Sequence, residues 1–507
     1  MSEPIKEQQT PALPYSYHTF LLAFYCPNGK LEPRGNWKKS ALTQNGITST
    51  GKAFDLDYAT AQYFTKEARN LLFNEKKSFC YEFDPESEES DYVITRAGEE
   101  FRLKTTKVFA VMYGESVGVL GIALENRDYP DEKFQEELNV NKINEFGRRI
   151  NLPYLSDGTH NLAADKISFF GSTEDFKETT KNIRNNTISP TKGYVMSPIR
   201  KLVTELMKAS DGKELIITPV IDDRMFVCSL IPNQQFIETL AERDDKPYDF
   251  IYTDTEISKS LYAIGYIDSG SATCQNKEMR EKLLRNSVYA RWRDLSFGGE
   301  TAGTVDLITH HSFVRITNGS APEYVINSFL TQYVYMAIGA LMQRATILWL
   351  SDESALLWEE YSDGKQKHTK KFTVKLYDLR KKYIYAQNNI FLDQLTVQEQ
   401  GVDEFTMLKN ELYIDTSLEK LEKKIDSVYH YTEEYVEREE NRLLNMITII
   451  GLPLAVINLI VDVAGLSVIF SLGIDIWYIP LAFWSSIAFI AFAIVYSTIS
   501  IIKHRKM

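Results

Sequence analysis

Cysteine is scarce in this chain. The four cysteines among 507 residues, Cys26, Cys80, Cys228 and Cys274, are widely scattered, with no C-x-x-C spacing. That excludes a disulfide framework, and the thiols read as reduced and structural. Histidine is sparse as well, at seven residues, and no Ser-His-Asp or Cys-His constellation stands out. The one adjacent pair, His310-His311, is expected on a strand, where neighbouring side chains point to opposite faces and cannot share a metal. Basic residues are not in excess. A formal charge of −12 excludes a general nucleic-acid binder, and no direct nucleic-acid contact is expected. Met1 to Pro14 is polar, so no signal peptide is expected and the bulk of the chain belongs in the cytosol. No internal repeat and no long Pro/Gly linker breaks that bulk. About 440 residues are enough for two or three domains. Gly46 to Ala53 nearly matches a P-loop, but Ala53 replaces the hydroxyl that would hold magnesium, and no clear strand precedes it.

Long apolar runs, by contrast, are present at the C-terminal end. Leu443 to Leu472 is almost wholly apolar, and Ile476 to Ile502 follows after Gly473-Ile474-Asp475. Each run exceeds the roughly 20 residues a helix needs to cross a bilayer core. So short a link implies a tight antiparallel hairpin. The chain ends in Lys503-His504-Arg505-Lys506-Met507, and Lys423, Lys424, Arg438 and Arg442 precede the first run. The link has no Lys or Arg. Both basic flanks, and so both termini, are therefore expected in the cytoplasm. Trp477, Tyr478 and Trp484 suit the outer interface.

The rest reads as an α/β or α+β cytosolic domain over residues 1–350, then a helical stalk over 351–442 and the hairpin over 443–507. Thr105 to Met112 and Val117 to Leu124 predict a β-hairpin. Leu215 to Val220 and Arg224 to Leu230 predict a second strand–turn–strand unit. Tyr248 to Tyr252 reads as a strand. Helical periodicity covers Glu323 to Leu350 and about Lys367 to Leu412. Thr416 to Glu419 fits a capping box opening one helix of about 55 residues, roughly 80 Å long. Leu418, Leu421, Ile425, Val428, Thr432 and Tyr435 form a heptad seam along it. The seam suits either packing within the chain or assembly of subunits.

In the first apolar run Gly451, Ala455, Asn458, Asp462 and Gly465 recur at spacings of three and four. A carboxylate in a membrane usually faces a bundle interior or water. Asn458, Asp462 and Gly465 are thus expected to line a pore made by several copies, or else Asn458 and Asp462 bond to the second run within a simple anchor.

Two further polar clusters draw attention. Asn144-Glu145-Phe146-Gly147-Arg148-Arg149, followed by Asn151-Leu152-Pro153-Tyr154, offers forked donors suited to phosphate. Asp222-Asp223-Arg224 sits between apolar segments. It is either an ordinary turn or a receiver for a ribose or a cationic group.

A long helix feeding a two-span hairpin behind a cytosolic α/β domain resembles the CorA superfamily of pentameric divalent-cation channels. That family carries Gly-Met-Asn after its first span, whereas this chain has Gly473-Ile474-Asp475. The chain also resembles a narrower branch, the CorA-like membrane effectors of type III CRISPR systems. The resemblance is carried by Tyr15-Ser16-Tyr17-His18-Thr19-Phe20, Gly147-Arg148-Arg149, Ile221 to Val227, Tyr289-Ala290-Arg291-Trp292, His311-Ser312-Phe313-Val314, Gln343-Arg344-Ala345 and Val397 to Gly401. It implies a homo-oligomeric channel of the bacterial inner membrane, a pentamer by family habit, rather than an enzyme. It also implies an activating nucleotide messenger, a conjugate of S-adenosylmethionine and AMP, and no cofactor. Arg148 and Arg149 would hold the phosphate, and Asp222 or Asp223, with Arg224 beside them, would face the sulfonium, the amino group or a ribose. A divergent CorA-type metal transporter and a membrane-tethered scaffold are the alternatives.

Overall fold

A computed structural model describes residues 13–40, 56–73, 78–85, 90–150, 164–185, 195–362 and 370–470. Within these, positions 211, 222, 242–246, 248, 271, 295, 298–299 and 302 are not described. The near-P-loop, Asn151 to Tyr154, Asp222, Gly473-Ile474-Asp475 and the second apolar run lie outside the described residues.

The run Ser-Tyr-His-Thr-Phe-Leu-Leu-Ala-Phe-Tyr has no polar alternation, because it has no solvent face. It forms strand β1 (Ser16–Tyr25), every residue of which is buried. Strand β2 (Glu99–Tyr113) pairs antiparallel with β3 (Val117–Asn126), which pairs along the whole of β1. This is the hairpin expected from the sequence. Gly114 takes φ +57 in its turn, a conformation that costs a glycine little. Helix α1 (Asn139–Gly147) follows, and strand β4 (Phe226–Pro232) pairs with the other edge of β1. After helix α2 (Thr255–Tyr266), strands β5 (Thr304–Ile308) and β6 (Ser312–Thr317) complete the central order β5–β6–β4–β1–β3–β2. Strands β4 and β6 run parallel, and the other neighbours in this order run antiparallel. The described protein is thus mixed α/β.

Three sequence expectations need correction. The stretch Thr218–Pro219 does not pair with β4. Both pair with β1, one after the other along the same edge. The apolar residues around Tyr252 form a helical turn, Phe250–Thr253, not a strand. The helical region near 367–412 is two helices, not one, as set out below.

The helices that follow are α3 (Val334–Ser362), α4 (Lys370–Asn389), α5 (Glu399–Glu411) and α6 (Ile414–Phe470). The last is a single helix of 57 residues. It begins two residues before Thr416, so the expected capping box falls inside its first turn.

The chain divides into two compact units. One comprises Met1–Leu350 and Ile384–Glu419, the other Ser351–Tyr383 and Lys420–Met507. The second unit is helical where described. There Arg380 lies 4.0 Å from the Tyr429 ring centroid and 3.6 Å from Asp426, and Lys424 Nζ donates to Ser351 Oγ at 3.1 Å. Leu421, Ile425, Val428 and Thr432 are buried in a single protomer. Between its two uses, the seam is thus employed for packing inside the chain.

Among the described residues, Glu323–Glu359 is the one helical stretch that meets both the length and the sustained apolarity of a bilayer span. Its most apolar window is 67% buried within the protein. That burial marks it as a core helix. In α6 the register from Gly451 to Gly465 keeps the small and polar stripe on one side. Asn458 is exposed, and nothing lies within 4 Å of a Cβ built on Gly451. The side chain of Asp462 and the surroundings of Gly465 lie outside the described residues.

Candidate functional site

Helix α1 ends where it does because glycine lets it sit against the sheet. A Cβ on Gly147 would come within 2.8 Å of Ile94 and of the Phe20 ring. The Tyr92 hydroxyl donates to the Gly147 carbonyl at 2.7 Å. One turn earlier, His18 Nδ1 donates to Asn144 Oδ1 at 2.7 Å, while its Nε2 accepts from Ser16 Oγ at 2.9 Å. That tautomer is assigned from the network. Ser229 Oγ on β4 also donates to Asn144 Oδ1, at 3.0 Å. The helix end is thereby tied to two strands, and the next two residues, Arg148 and Arg149, leave it in a fixed direction.

This anchor is pH-sensitive. Burial pushes the His18 imidazole down to about 4, against the partly offsetting bond to Asn144. An unfolded chain takes up a proton near pH 6.5, before the folded one does. Stability is therefore full above about pH 6.5 and falls with pH from there towards 4. The expected slope from His18 is roughly 1.4 kcal/mol per pH unit. Urea unfolding at pH 7, 6 and 5 should show it, and His18→Gln should flatten the curve. Parallel curves for the two proteins would exclude His18 as the source.

The two polar clusters of the sequence meet here. Arg149 and Arg224 form an antiparallel bridge, Met225 N–H donates to the Arg148 carbonyl at 2.8 Å, and Ile150 N–H donates to the Asp223 carbonyl at 3.0 Å. Asp223 is buried and fully engaged. Its Oδ2 accepts from Arg149 Nη1, and its Oδ1 accepts from Arg224 Nε at 2.6 Å. It is placed as a brace between two guanidiniums that bond to both of its oxygens.

Arg148 is different. It is only 2% exposed, yet its Nε and Nη1 have no hydrogen-bond partner. Burial, then the Arg224 and Arg149 charges, push its guanidinium down to about 9, so it stays charged at neutral pH. A buried charge without partners is costly unless something completes it.

Arg148 lines a cavity of about 390 Å3, although its Nε and Nη1 are themselves closed off from solvent. Arg148, Arg149, Arg224 and Glu145 form one side of it. Tyr262 and Tyr266, one turn apart on α2, form another, stacked at 4.3 Å with planes 12° apart. Asp268 follows the left-handed residue Ile267 (φ 60) that ends α2, and burial raises its carboxyl above the usual range. Glu145 Oε2 accepts from the Ser269 N–H at 2.8 Å.

His310 and His311 also line the cavity. They lie in the turn between β5 and β6, not on a strand, and their rings are 3.8 Å apart. The expectation that they point to opposite faces is therefore wrong. Burial, then the His310 and arginine charges, push His311 down to about 2, so it is neutral and adds no positive charge. Among the described residues no group of three or more His, Cys, Asp or Glu is placed to hold a metal.

The geometry thus offers a recessed anion site beside a flat aromatic wall. Sequence reasoning found the arginines and Asp223. It missed Tyr262, Tyr266, Asp268 and the histidines. The only local signal was the Tyr-x-x-x-Tyr spacing just before Ile267-Asp268, which on a helix reads equally well as core. No known protein-family model matches this chain, and no curated protein matches it.

Proposed function

We propose that this protein is a ligand-gated membrane channel of the CorA-like kind, acting as an antiviral effector of type III CRISPR immunity. The observation that carries the ligand half of this reading is Arg148, a buried guanidinium with two unused donors. A phosphate in the cavity would neutralise it and, once the side chain turns towards the cavity, complete it through charge-assisted bonds. The stacked tyrosines suit a purine ring, and Glu145 and Asp268 suit a ribose or an amino group. An S-adenosylmethionine–AMP conjugate contains all of these parts.

The membrane half rests on the C-terminal sequence. In α6, Leu444, Ile447 and Ile449 are 60%, 54% and 70% exposed. An apolar surface of this kind needs lipid or protein to cover it. In this proposal α6 is the first span of a hairpin in the bacterial inner membrane, with both termini cytoplasmic. Several copies, a pentamer by resemblance, assemble around Asn458, Asp462 and Gly465. The cavity has a route to that helix. His310 Nδ1 lies 3.8 Å from Glu411 Oε2, at the last residue of α5. Tyr413, with φ 54, then turns the chain into α6. A ligand that moves His310 acts on this corner, and it favours an open state only by its differential affinity for it.

Liposome flux decides the matter. Ion release should be low without the messenger and rise sharply with it. Equal flux in both conditions would identify a constitutive metal transporter instead. No flux in either would leave a membrane-tethered binding protein. Asp462→Ala should change conductance or ion preference while leaving messenger binding intact.

A further inference from the structure

A second cleft, of about 280 Å3, shares no lining residue with the arginine cavity. Its chemistry is also different. Four carboxamides line it, those of Asn327, Gln332, Gln398 and Gln400, together with the rings of Tyr324 and Tyr333. No Asp, Glu, Lys, Arg or His is among its lining residues that the structure describes. Among these residues a phosphate or a sulfonium would find no counter-charge to offset its lost hydration. A carboxamide presents an acceptor and two donors in one plane. That pattern matches the mixed donor and acceptor edge of a heterocyclic base, as in bidentate Asn or Gln contacts to adenine. The volume lies at the small end of ligand sites, enough for one base or nucleoside.

An irregular helix forms one wall. Phe329–Tyr333 is a π-turn leading into α3. Such a turn inserts an extra residue, re-aims the side chains that follow, and recurs at functional sites. Here it carries Gln332 and Tyr333 into the cleft. Tyr333 is buried and held from behind by the Arg315 guanidinium, 4.1 Å from its ring centroid. The opposite wall, Gln398 and Gln400, is the N-terminal end of α5. The C-terminal end of that helix is Glu411, the residue beside His310 at the arginine cavity.

We propose that this cleft is a second binding site, for an uncharged planar heterocycle of the nucleobase or nucleoside class. Its occupant would bear on one end of the helix whose other end meets the arginine cavity. The site stands independently of the channel reading.

The test uses the full-length protein in detergent, with adenosine, guanosine and uridine as probes. Saturation-transfer NMR detects binding and calorimetry measures it. At least one nucleoside should bind at millimolar concentration or below. Gln332→Ala and Gln400→Ala should each weaken it about tenfold. Tyr324→Ala should weaken it several-fold, and because Tyr324 is 64% exposed this variant does not endanger the fold. Arg148→Met should leave nucleoside binding unchanged. The proposal is overturned if none of the three nucleosides binds. It is overturned equally if binding survives all three cleft variants, which would place the nucleoside elsewhere, as against the stacked tyrosines of the arginine cavity.

Discussion

Arg148→Met should abolish messenger binding and, at the same time, make the ligand-free protein more stable. Both effects follow from one fact, that the Nε and Nη1 of this buried guanidinium have no partner. Each charge-assisted bond to a phosphate is worth about 1.5–3 kcal/mol. Losing two should weaken binding at least a hundredfold in calorimetry. In the free protein the same donors are a burden. Leaving a buried polar group unpaired costs about 1–3 kcal/mol, and methionine fills similar space without that cost. The variant's unfolding midpoint should therefore rise. Arg149→Met should do the opposite to stability. It removes one of the two cations that neutralise buried Asp223, and breaking a buried pair costs about 3–5 kcal/mol. Two neighbouring arginines should thus change stability in opposite directions. If Arg148→Met lowers stability and leaves binding unchanged, Arg148 is a structural residue and the anion site is refuted. Sites that sacrifice stability for recognition are expected to behave in the first way.

Much of this was legible locally, and what was not depends on distant partners. Thr105 to Leu124 announces a hairpin because both strands and their Gly114 turn lie within one window. Leu215 to Leu230 imitates a hairpin for the same reason, with charged residues between apolar segments. It is none, because β1 accepts both segments along one edge, and no local pattern encodes that competition. The apolar residues before Thr253 are too few for periodicity to separate a strand from a helical turn. The arginine pair and Asp223-Arg224 each stand out in the sequence. That they meet is set by the bridge from Arg149 to Arg224 across 75 positions. The difference between Arg148 and Arg149 is also invisible in sequence, since it depends on which guanidinium reaches Asp223. The seam of α6 was readable as a seam, and its use inside the chain became clear only from burial of Leu421, Ile425, Val428 and Thr432.

The contact between α5 and the sheet should be sensitive to the loss of one buried cation. Arg315 on β6 donates to both oxygens of Asp306 on β5, at 2.6 and 2.8 Å, and to Glu404 Oε1 on α5 at 3.2 Å. All three residues are buried. Burial opposes the Arg315 charge, but Asp306 and then Glu404 hold the guanidinium well above its usual range. Burial, then Asp306, raises the Glu404 carboxyl well above the usual carboxylate range, and its Oε2 has no partner. With two short bonds against one longer one, Asp306 is the principal partner of Arg315 and Glu404 the secondary one. The two obvious substitutions should then differ sharply. Glu404→Gln keeps the shape and the oxygen that accepts from Arg315, and should change stability by less than about 1 kcal/mol. Arg315→Met leaves Asp306 buried without its counter-ion and should cost about 3–5 kcal/mol. It also removes the cation behind Tyr333. Adding Asp306→Asn to Arg315→Met should recover part of the loss, because the stranded charge is then gone. Denaturant unfolding of the three variants measures these differences. Equal destabilisation by Glu404→Gln and Arg315→Met would mean that Glu404 is ionised in the folded protein, with the guanidinium shared between two charges.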